Sequence, residues 1–314
     1  MKKILCIALS ALLLTSCGKK EVYLFTSFSE PATDGLRLLY SEDGLKWTAL
    51  GCTFLSPAVG SGVMRDPSIA RGGDGVFHAV WTSGWSGDKG FGYACSKNLA
   101  EWSSQRYVEV MAGEPEAVNV WAPELFYDDE ADCFIIVWAT TIPFRFEKGI
   151  EEESNNHRLY YATTKDFVTF SEAQLFLDPG FSVIDAVIVK RAKDDYALVM
   201  KDNTRPNRNL RVAFAASPLG PYGAASETFT SQFTEGPSVV KLGSSYYIYY
   251  DAYRDHAYGA VKTCDFGTFT DAAAEISVPK GHKHGTIFKA EKAIVAQLEA
   301  FCAGRQAENK PIAE

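Results

Sequence analysis

The chain has 314 residues, of which 46% are hydrophobic, 22% charged and 13% aromatic, a composition typical of a globular protein. Its 31 lysines and arginines stand against 39 aspartates and glutamates, which gives a formal net charge of −8. An acidic chain without basic runs is a poor partner for nucleic acid or for anionic lipid, so these classes of function are disfavoured.

The first 17 residues are predicted to direct export and to lie outside the fold. Lys2 and Lys3 precede the apolar run 4–14, which is too short to span a bilayer and is typical of a signal peptide. The run ends in Leu14-Thr15-Ser16-Cys17, which resembles a bacterial lipobox. Cys17 would then be acylated and anchor the protein in the bacterial cell envelope, periplasmic or at the surface. An ordinary signal peptide with an incidental cysteine is the alternative.

Beyond residue 40 one pattern recurs five times. An acidic residue opens a short apolar run, a tight turn follows, and a second apolar or aromatic run completes a β-hairpin. The opening residues are Asp66, Glu124, Asp185 and Glu235, and His284 takes the same place in the fifth copy. They follow one another at intervals of 49 to 61 residues. Repeats of about this length with several strands each predict an all-β, five-bladed β-propeller.

The fifth copy has only one strand, which would leave an unpaired strand edge in the last blade. Two strand patterns at 22–28 and 36–40 precede the first hairpin. We therefore expect these N-terminal strands to complete the fifth blade beside residues 286–288 and to close the ring. No linker divides the chain, so residues 18–314 are expected to form a single five-bladed propeller domain.

Two further expectations concern the end of the chain and the cysteines. Apolar residues recur at helical spacing within 290–304 and predict a short C-terminal helix packed on the outside; they are Ile294, Val295, Leu298 and Phe301. Five cysteines follow Cys17, at positions 52, 95, 133, 264 and 302. Because they are odd in number and scattered, mostly through strand patterns, we expect buried free thiols.

The first strand of each propeller blade lines the central axis. Four acids and one histidine in equivalent positions are therefore expected to converge at one end of the channel. An acid at a strand opening can also simply cap a turn, but four such acids in one register favour a shared cavity.

The segments that carry these acids resemble glycoside hydrolase family 43. They are Met64-Arg65-Asp66-Pro67-Ser68-Ile69, Trp121-Ala122-Pro123-Glu124, Val183-Ile184-Asp185-Ala186 and Thr234-Glu235-Gly236-Pro237. They come in the family's order, and the likeness covers nearly all of the chain after residue 17. The resemblance implies a five-bladed propeller that hydrolyses glycosides with inversion.

The same resemblance implies a role for each of three acids. Asp66 corresponds to the general base, Glu235 to the general acid, and Asp185 to the residue that orients the acid and raises its pKa. An inverting enzyme protonates the leaving oxygen on one side of the sugar and activates water on the other. The Asp66 and Glu235 carboxyls are therefore expected to lie about 6.5–9.5 Å apart.

The remaining candidates are substrate contacts. Glu124 departs from the family, which more often has aspartate after Trp-Ala-Pro, so a role in the wall or on a substrate hydroxyl is preferred for it. Arg65 either helps to keep Asp66 charged or points outward. Side chains near the strand mouths are expected to contact sugar: Trp85, Trp121, Phe144, Asn203 and Arg205. The acidic insert 144–157 is either a loop over the pocket or a solvated excursion.

His284 resembles the family's axial histidine, which often lies near a bound calcium ion or a water cluster. A metal held by His284 through water is therefore one interpretation, and a buried, hydrogen-bonded histidine is the other. No cofactor is required for the hydrolytic reaction itself.

These features predict an exported, monomeric, exo-acting glycosidase on plant-type polysaccharide or oligosaccharide, in the first place an α-L-arabinofuranosidase. A β-xylosidase and a galactofuranosidase or galactanase of the same family are the alternatives within this class. A non-catalytic carbohydrate-binding lipoprotein is the alternative from another class, although all three catalytic positions are occupied. Invertase-like retaining enzymes share Arg-Asp-Pro, but they lack the Glu-Gly-Pro segment and open with Asn-Asp-Pro-Asn-Gly, which is absent here.

Overall fold

The computed structural model describes residues 21–308, which form 19 β-strands, a short 3₁₀ helix at Glu153–Asn155 and one α-helix. Three strands come first in the chain: β1 (Glu21–Ser27), β2 (Arg37–Ser41) and β3 (Thr48–Ala49). The first full blade contains β4 (Arg65–Arg71), β5 (Phe77–Thr82), β6 (Phe91–Ser96) and β7 (Arg106–Val108). The second contains β8 (Trp121–Asp128), β9 (Cys133–Thr141), β10 (His157–Thr164) and β11 (Gln174–Leu177).

The third blade has three strands, β12 (Val183–Ala192), β13 (Asp195–Asp202) and β14 (Asn209–Ala215). The fourth contains β15 (Thr234–Leu242), β16 (Ser245–Ala252), β17 (Ala257–Thr263) and β18 (Thr270–Asp271). The chain continues into β19 (Ile287–Glu291) and α1 (Lys292–Glu308). All five sheets are antiparallel, and the predicted five-bladed propeller is confirmed.

The ring closes through the N-terminal strands, as the sequence predicts. Strand order in the fifth blade is β19-β1-β2-β3. β19 is therefore an edge strand of this blade, and β1 is its neighbour. β1 pairs with β19 with Val22 opposite Ala290 and Phe25 opposite Ile287. This pairing covers the strand edge that β19 would otherwise expose.

Apolar side chains fill the space between neighbouring blades. Phe91 of the first blade packs in one buried cluster with Ile136 and Trp138 of the second. Each sheet thus buries both of its faces, which explains why the second strand of each hairpin is almost continuously apolar. Burying one such large side chain stabilises the fold by about 1.5–3 kcal/mol.

The C-terminal helix α1 packs on the outside of the fifth and first blades, as expected from its apolar spacing. Ile294, Val295 and Leu298 are buried in the cluster that also contains Phe54. Phe301 stacks on Phe54 with ring centroids 5.7 Å apart. Within residues 21–308 no helix is both long and apolar enough to cross a membrane.

The expectation of five free thiols is wrong for two of them. Cys52 and Cys302 form a disulfide whose Cα atoms are 5.5 Å apart, although they are separated by 250 residues in sequence. They meet because α1 folds back over the loop after β3, a contact that cysteine spacing does not reveal. Cys95, Cys133 and Cys264 are free. The predicted signal peptide 1–17, with Cys17, lies outside the described residues.

We predict that the Cys302→Ser variant loses about 2–4 kcal/mol of unfolding free energy, because the disulfide closes a long loop between the two ends of the chain. Chemical denaturation of the oxidised protein measures this loss. The exposed free thiol Cys264 provides the matched control, and Cys264→Ser should leave stability unchanged. Dithiothreitol should lower the melting temperature of the wild type but not that of Cys302→Ser. An unchanged wild-type melting temperature under reduction would contradict the proposed stabilisation.

Candidate active site

The first strands of blades one to four each carry a β-bulge near their openings. Strand pairing shifts register between residues 65 and 68, 121 and 124, 184 and 187, and 235 and 238. The residue within each bulge has a positive φ: 50° at Asp66, 45° at Ala122, 52° at Asp185 and 58° at Gly236. A bulge adds one residue to a strand and redirects the neighbouring side chains, and it is common next to active sites.

These bulges correct the interpretation that the four acids occupy one equivalent position. Asp66 and Asp185 are themselves the left-handed residues, whereas Glu235 precedes Gly236 and Glu124 follows Ala122 by two positions. The acids therefore fall into three different registers relative to the bulge. Three of them reach a common cavity, and Glu124 does not.

The cavity at the mouth of the channel has a volume of about 250 Å³. It brings together eight of the predicted site residues: Arg65, Asp66, Trp85, Trp121, Asp185, Asn203, Glu235 and His284. It is also lined by residues that the sequence analysis did not select, among them Thr82, Asn155, Lys201 and Arg208.

Asp66 is held as an ionised carboxylate. Thr82 Oγ1 donates a hydrogen bond to Asp66 Oδ2 at 2.9 Å, and His284 Nδ1 lies 3.2 Å from Oδ1. Burial by itself would raise the pKa of Asp66, but the hydrogen bonds and positive charges around it outweigh this effect and hold the pKa below its ordinary value. An ionised carboxylate at this place is suited to take a proton from water.

His284 is a cation at neutral pH. Burial alone would lower its pKa, but the hydrogen bond to Asp66 and the negative charges of Asp185 and Asp66 raise the pKa of His284 to about 9. Its Nδ1 is engaged by Asp66, which supports the interpretation as a buried, hydrogen-bonded histidine.

Glu235 and Asp185 have different partners from Asp66. Lys201 Nζ donates to Glu235 Oε2 at 2.7 Å, and the Lys201 side chain is only 3% exposed. The backbone N–H of Gly236 donates to Asp185 Oδ2 at 3.0 Å, so Asp185 holds the peptide that follows Glu235. Burial raises the pKa of the Asp185 carboxyl; the charges of His284 and Lys201 oppose this shift without cancelling it.

Two tryptophans form an apolar wall, as predicted. Trp121 meets the edge of Trp85 at a centroid distance of 5.3 Å, and its Nε1–H donates to the Trp85 carbonyl at 2.8 Å. The other side of Trp121 stacks on the buried His157 at 4.8 Å. Trp85 is 59% exposed, which leaves its ring accessible to a sugar face.

Arg65 points into the site and not outward. Its guanidinium lies 4.4 Å from the centroid of Trp85 and pairs with Glu30 at 2.7 Å. Its positive charge also contributes to the lowered pKa of Asp66. The first of the two expectations for Arg65 is therefore supported.

The insert 144–157 is a loop beside the cavity. Buried Glu151 accepts hydrogen bonds from the backbone N–H of Arg205 at 2.6 Å and from its Nε at 3.2 Å. Asn155 Oδ1 accepts a hydrogen bond from Asn203 Nδ2 at 3.0 Å, and both side chains line the cavity. The insert thus supplies a wall residue.

Three predicted substrate contacts lie elsewhere. Arg205 does not line the cavity, because its side chain is used to hold Glu151. Phe144 also lies outside the lining and is 85% exposed, because the backbone at this tip turns the ring toward solvent. Glu124 accepts hydrogen bonds from Thr286 Oγ1 at 2.9 and 3.1 Å, and burial raises the pKa of Glu124 to about 7. It belongs to the channel wall and not to the cavity.

Within residues 21–308 no group of three or more His, Cys, Asp or Glu side chains is arranged to hold a metal ion. A protonated His284 is moreover a poor ligand. Calcium held near His284 through water stays a prediction.

A register argument would have found two of the residues that the sequence analysis missed. Thr82 lies opposite Arg65 across the first hairpin, and Lys201 lies opposite Ile184 across the third. A polar residue at or next to the end of the second strand of a hairpin thus lies beside the beginning of the first strand. Arg208 comes from a loop and Asn155 from the short 3₁₀ helix, and no periodic signal marks them.

Comparisons with known proteins support the fold and define the family. The sequence model of a family described as a probable glycosyl hydrolase domain, related to glycoside hydrolase family 43, matches residues 19–294. An α-L-arabinofuranosidase from Bifidobacterium longum subsp. longum is 32% identical over 84 residues, which are 24% of this chain and 8% of that relative. This chain thus aligns with only a small part of the relative's length.

Solved structures share the architecture at low sequence identity. An α-L-arabinofuranosidase from Clostridium thermocellum has a TM-score of 0.58 at 13% identity and covers 84% of this chain and 91% of its own. An α-L-arabinanase from Cellvibrio cellulosa, solved with arabinohexaose, has a TM-score of 0.55 at 14% identity, with coverage of 85% and 95%. At such identities the likeness establishes the fold alone.

The family model matches residues 19–294 and thereby defines the class of protein. This chain belongs to the glycosyl hydrolases related to glycoside hydrolase family 43.

We predict that the raised pKa of His284, about 9 against an ordinary value of 6.5, makes stability depend on pH. A group whose pKa is raised by folding stabilises the protein fully below its unfolded pKa, and this contribution is lost as the pH rises through the folded pKa. The unfolding free energy of the wild type should therefore fall relative to that of His284→Gln by up to about 3 kcal/mol between about pH 6.5 and pH 9.

Urea denaturation at a series of pH values measures this difference. The exposed His256 offers a matched control, and His256→Gln should follow the wild-type curve. If the wild type and His284→Gln run parallel across the window, His284 is not held as a cation.

Proposed function

We propose that this chain is an exported, exo-acting, inverting glycosidase that releases a terminal sugar, in the first place α-L-arabinofuranose, from plant-type polysaccharide or oligosaccharide. The observation that carries the proposal is the convergence of Asp66, Asp185 and Glu235 on one cavity of about 250 Å³. A cavity of this size accommodates little more than one sugar, which favours a single terminal sugar over the interior of a long polymer.

Asp66 is proposed as the general base. It is ionised, and two partners, Thr82 and His284, fix the orientation of its carboxylate. A water molecule between Asp66 and the anomeric carbon would lose its proton to Asp66 as it attacks. The imidazolium of His284 remains beside Asp66 and stabilises its charge before the proton is transferred.

Glu235 is proposed as the general acid on the other side of the sugar. It donates its proton to the leaving oxygen as the glycosidic bond breaks. Asp185 acts through the backbone N–H of Gly236 and so fixes the direction in which Glu235 points. Lys201 stabilises the carboxylate of Glu235 after the proton has left, because its ammonium lies at hydrogen-bond distance.

The preference for arabinofuranose is supported by the names of the relatives. Both the Bifidobacterium relative and the Clostridium structure are described as α-L-arabinofuranosidases. A xylosyl or galactofuranosyl substrate is the alternative, because the carboxylates define the reaction more closely than the sugar. The Trp85–Trp121 wall provides the apolar surface on which one face of the sugar would stack.

Export is part of the proposal. Cys17 is proposed to carry a lipid that anchors the mature chain in the bacterial cell envelope, with no other membrane contact. The Cys52–Cys302 disulfide supports an oxidising compartment, because disulfides are rare in the cytosol.

Hydrolysis of a panel of 4-nitrophenyl glycosides tests the proposal directly. We expect release from α-L-arabinofuranoside to exceed that from β-D-xyloside and β-D-galactofuranoside. Proton NMR of the first product should show the anomer opposite to that of the substrate. A first product that retains the substrate's configuration would exclude the inverting mechanism, and binding without hydrolysis would favour a carbohydrate-binding protein.

We predict that the two carboxylates respond differently to the leaving group. Asp66→Asn should slow hydrolysis of every substrate by about 10²–10⁴-fold, because water attack is always required. Glu235→Gln should slow natural oligosaccharides by a similar factor and 2,4-dinitrophenyl glycosides far less, since only poor leaving groups need protonation.

Steady-state kinetics on both substrate types measures these ratios. Phe144→Ala is a suitable control, because this exposed ring lies outside the cavity. Near-normal rates of Asp66→Asn on the activated substrate would show that Asp66 is not the base.

A further inference from the structure

One cation of the cavity has no counterpart. Arg65 pairs with Glu30 at 2.7 Å, Lys201 with Glu235 at 2.7 Å and His284 with Asp66 at 3.2 Å. Arg208 also lines the cavity, yet its side chain makes no ion pair or hydrogen bond within residues 21–308. Its Nε is shielded from solvent and lacks an acceptor. A buried N–H in this state is costly unless a bound group supplies the missing acceptor.

The backbone fixes Arg208 at this place. Its φ is 50°, in the left-handed region that non-glycine residues rarely adopt and that is concentrated at functional sites. Its N–H donates to the Thr204 carbonyl at 3.2 Å, and its carbonyl accepts the N–H of Thr234 at 3.1 Å. The turn that carries Arg208 is thus bonded to the residue directly before Glu235.

Within residues 21–308 no ion pair neutralises the charge of Arg208. The other three cations each have a carboxylate partner, and the remaining lining carboxylate, Asp185, accepts the backbone N–H of Gly236. Neutral sugar hydroxyls can accept hydrogen bonds from a guanidinium but leave its charge uncompensated. A substrate carboxylate supplies both, because the guanidinium matches its two oxygens.

The position of Arg208 also indicates which part of the substrate carries this group. In an inverting glycosidase the general acid lies on the side of the leaving group and the base on the opposite side. Arg208 is bonded to the strand of Glu235 in the fourth blade, whereas Asp66 lies on the first blade.

We propose that Arg208 binds a carboxylate on the leaving-group side of the substrate, so that the sugar from which the terminal residue is cleaved is a uronic acid. This placement rests on the proposed inverting function, but carboxylate recognition by Arg208 does not. The substrate class is therefore an acidic glycan with a neutral terminal sugar.

Isothermal titration calorimetry tests the recognition without catalysis. Galacturonate and galactose are the matched probes, since they differ only in the carboxylate at C6. The wild type should bind galacturonate at least about tenfold more tightly than galactose, and Arg208→Gln should lose this difference. Arg208→Lys should retain part of it, and Arg254→Gln, which changes an exposed arginine outside the cavity, should retain it fully. Equal affinity of the wild type for both sugars would overturn the proposal.

Kinetics test the placement. The sugar is the one that is hydrolysed best as an aryl glycoside, and it is prepared as its 4-carboxyphenyl and 4-carbamoylphenyl glycosides. The kcat/KM value for the 4-carboxyphenyl glycoside is divided by that for the 4-carbamoylphenyl glycoside. This ratio is measured for the wild type and for Arg208→Gln. Taking the ratio between enzymes cancels the different electronic effects of the two leaving groups. The ratio should fall at least about tenfold in the variant. An unchanged ratio with retained galacturonate binding would place the carboxylate on the cleaved sugar instead. Absence of hydrolysis with every glycoside would refute the proposed function, while the calorimetry would still decide whether Arg208 binds carboxylates.

Discussion

The pairing of β1 with β19 is the interaction on which the rest of the structure depends, because it joins the two ends of the ring. Thr26, at the end of β1, is fully buried and connects this closure to the active site. Its Oγ1 accepts the N–H of Thr286 at 2.7 Å and donates to the carbonyl of Pro67. Pro67 directly follows Asp66, so the closing strand contacts the bulge that directs this carboxylate. Ring closure therefore does more than cover a strand edge.

The closure also explains how three carboxylates in one small cavity acquire different properties. Asp66 faces the imidazolium of His284 from the last blade, Glu235 faces the ammonium of Lys201, and Asp185 accepts a backbone N–H. Two of the three carboxylates thus lie beside a cation, and the third lies beside a peptide dipole. Environment and not residue type separates their roles, which is the usual way in which paired carboxylates divide acid and base work. Arg208 lines the same cavity, and in our proposal the substrate supplies the acceptor that its side chain lacks.

The sequence predicted the repeating parts of the molecule better than the irregular parts. Alternation of apolar runs and turns revealed the hairpins, and the lone last strand required the N-terminal strands as partners. The position of Glu124 was misjudged because a bulge changes register by one residue, and such a shift leaves no mark in a hydrophobic pattern. Arg205 and the Cys52–Cys302 pair depend on contacts between segments that are distant in sequence, so their roles follow only from the folded structure. Lys201 was overlooked because a lysine at a strand end usually lies in solvent, whereas here the neighbouring blade buries it.

The bulges link the catalytic residues to the glycines that surround them. Gly236 has a φ of 58°, and a Cβ at this position would lie 2.5 Å from Cγ of His284. Any larger residue after Glu235 would therefore displace the imidazolium from Asp66. Just before β19, a Cβ on Gly285 would overlap the carbonyl oxygen of Thr26 and separate the closing strands. The glycine in Glu-Gly-Pro is thus a steric requirement of the Asp66–His284 ion pair. This pair depends on two glycines, Gly236 and Gly285, which leave room for the imidazole and for the closing strand.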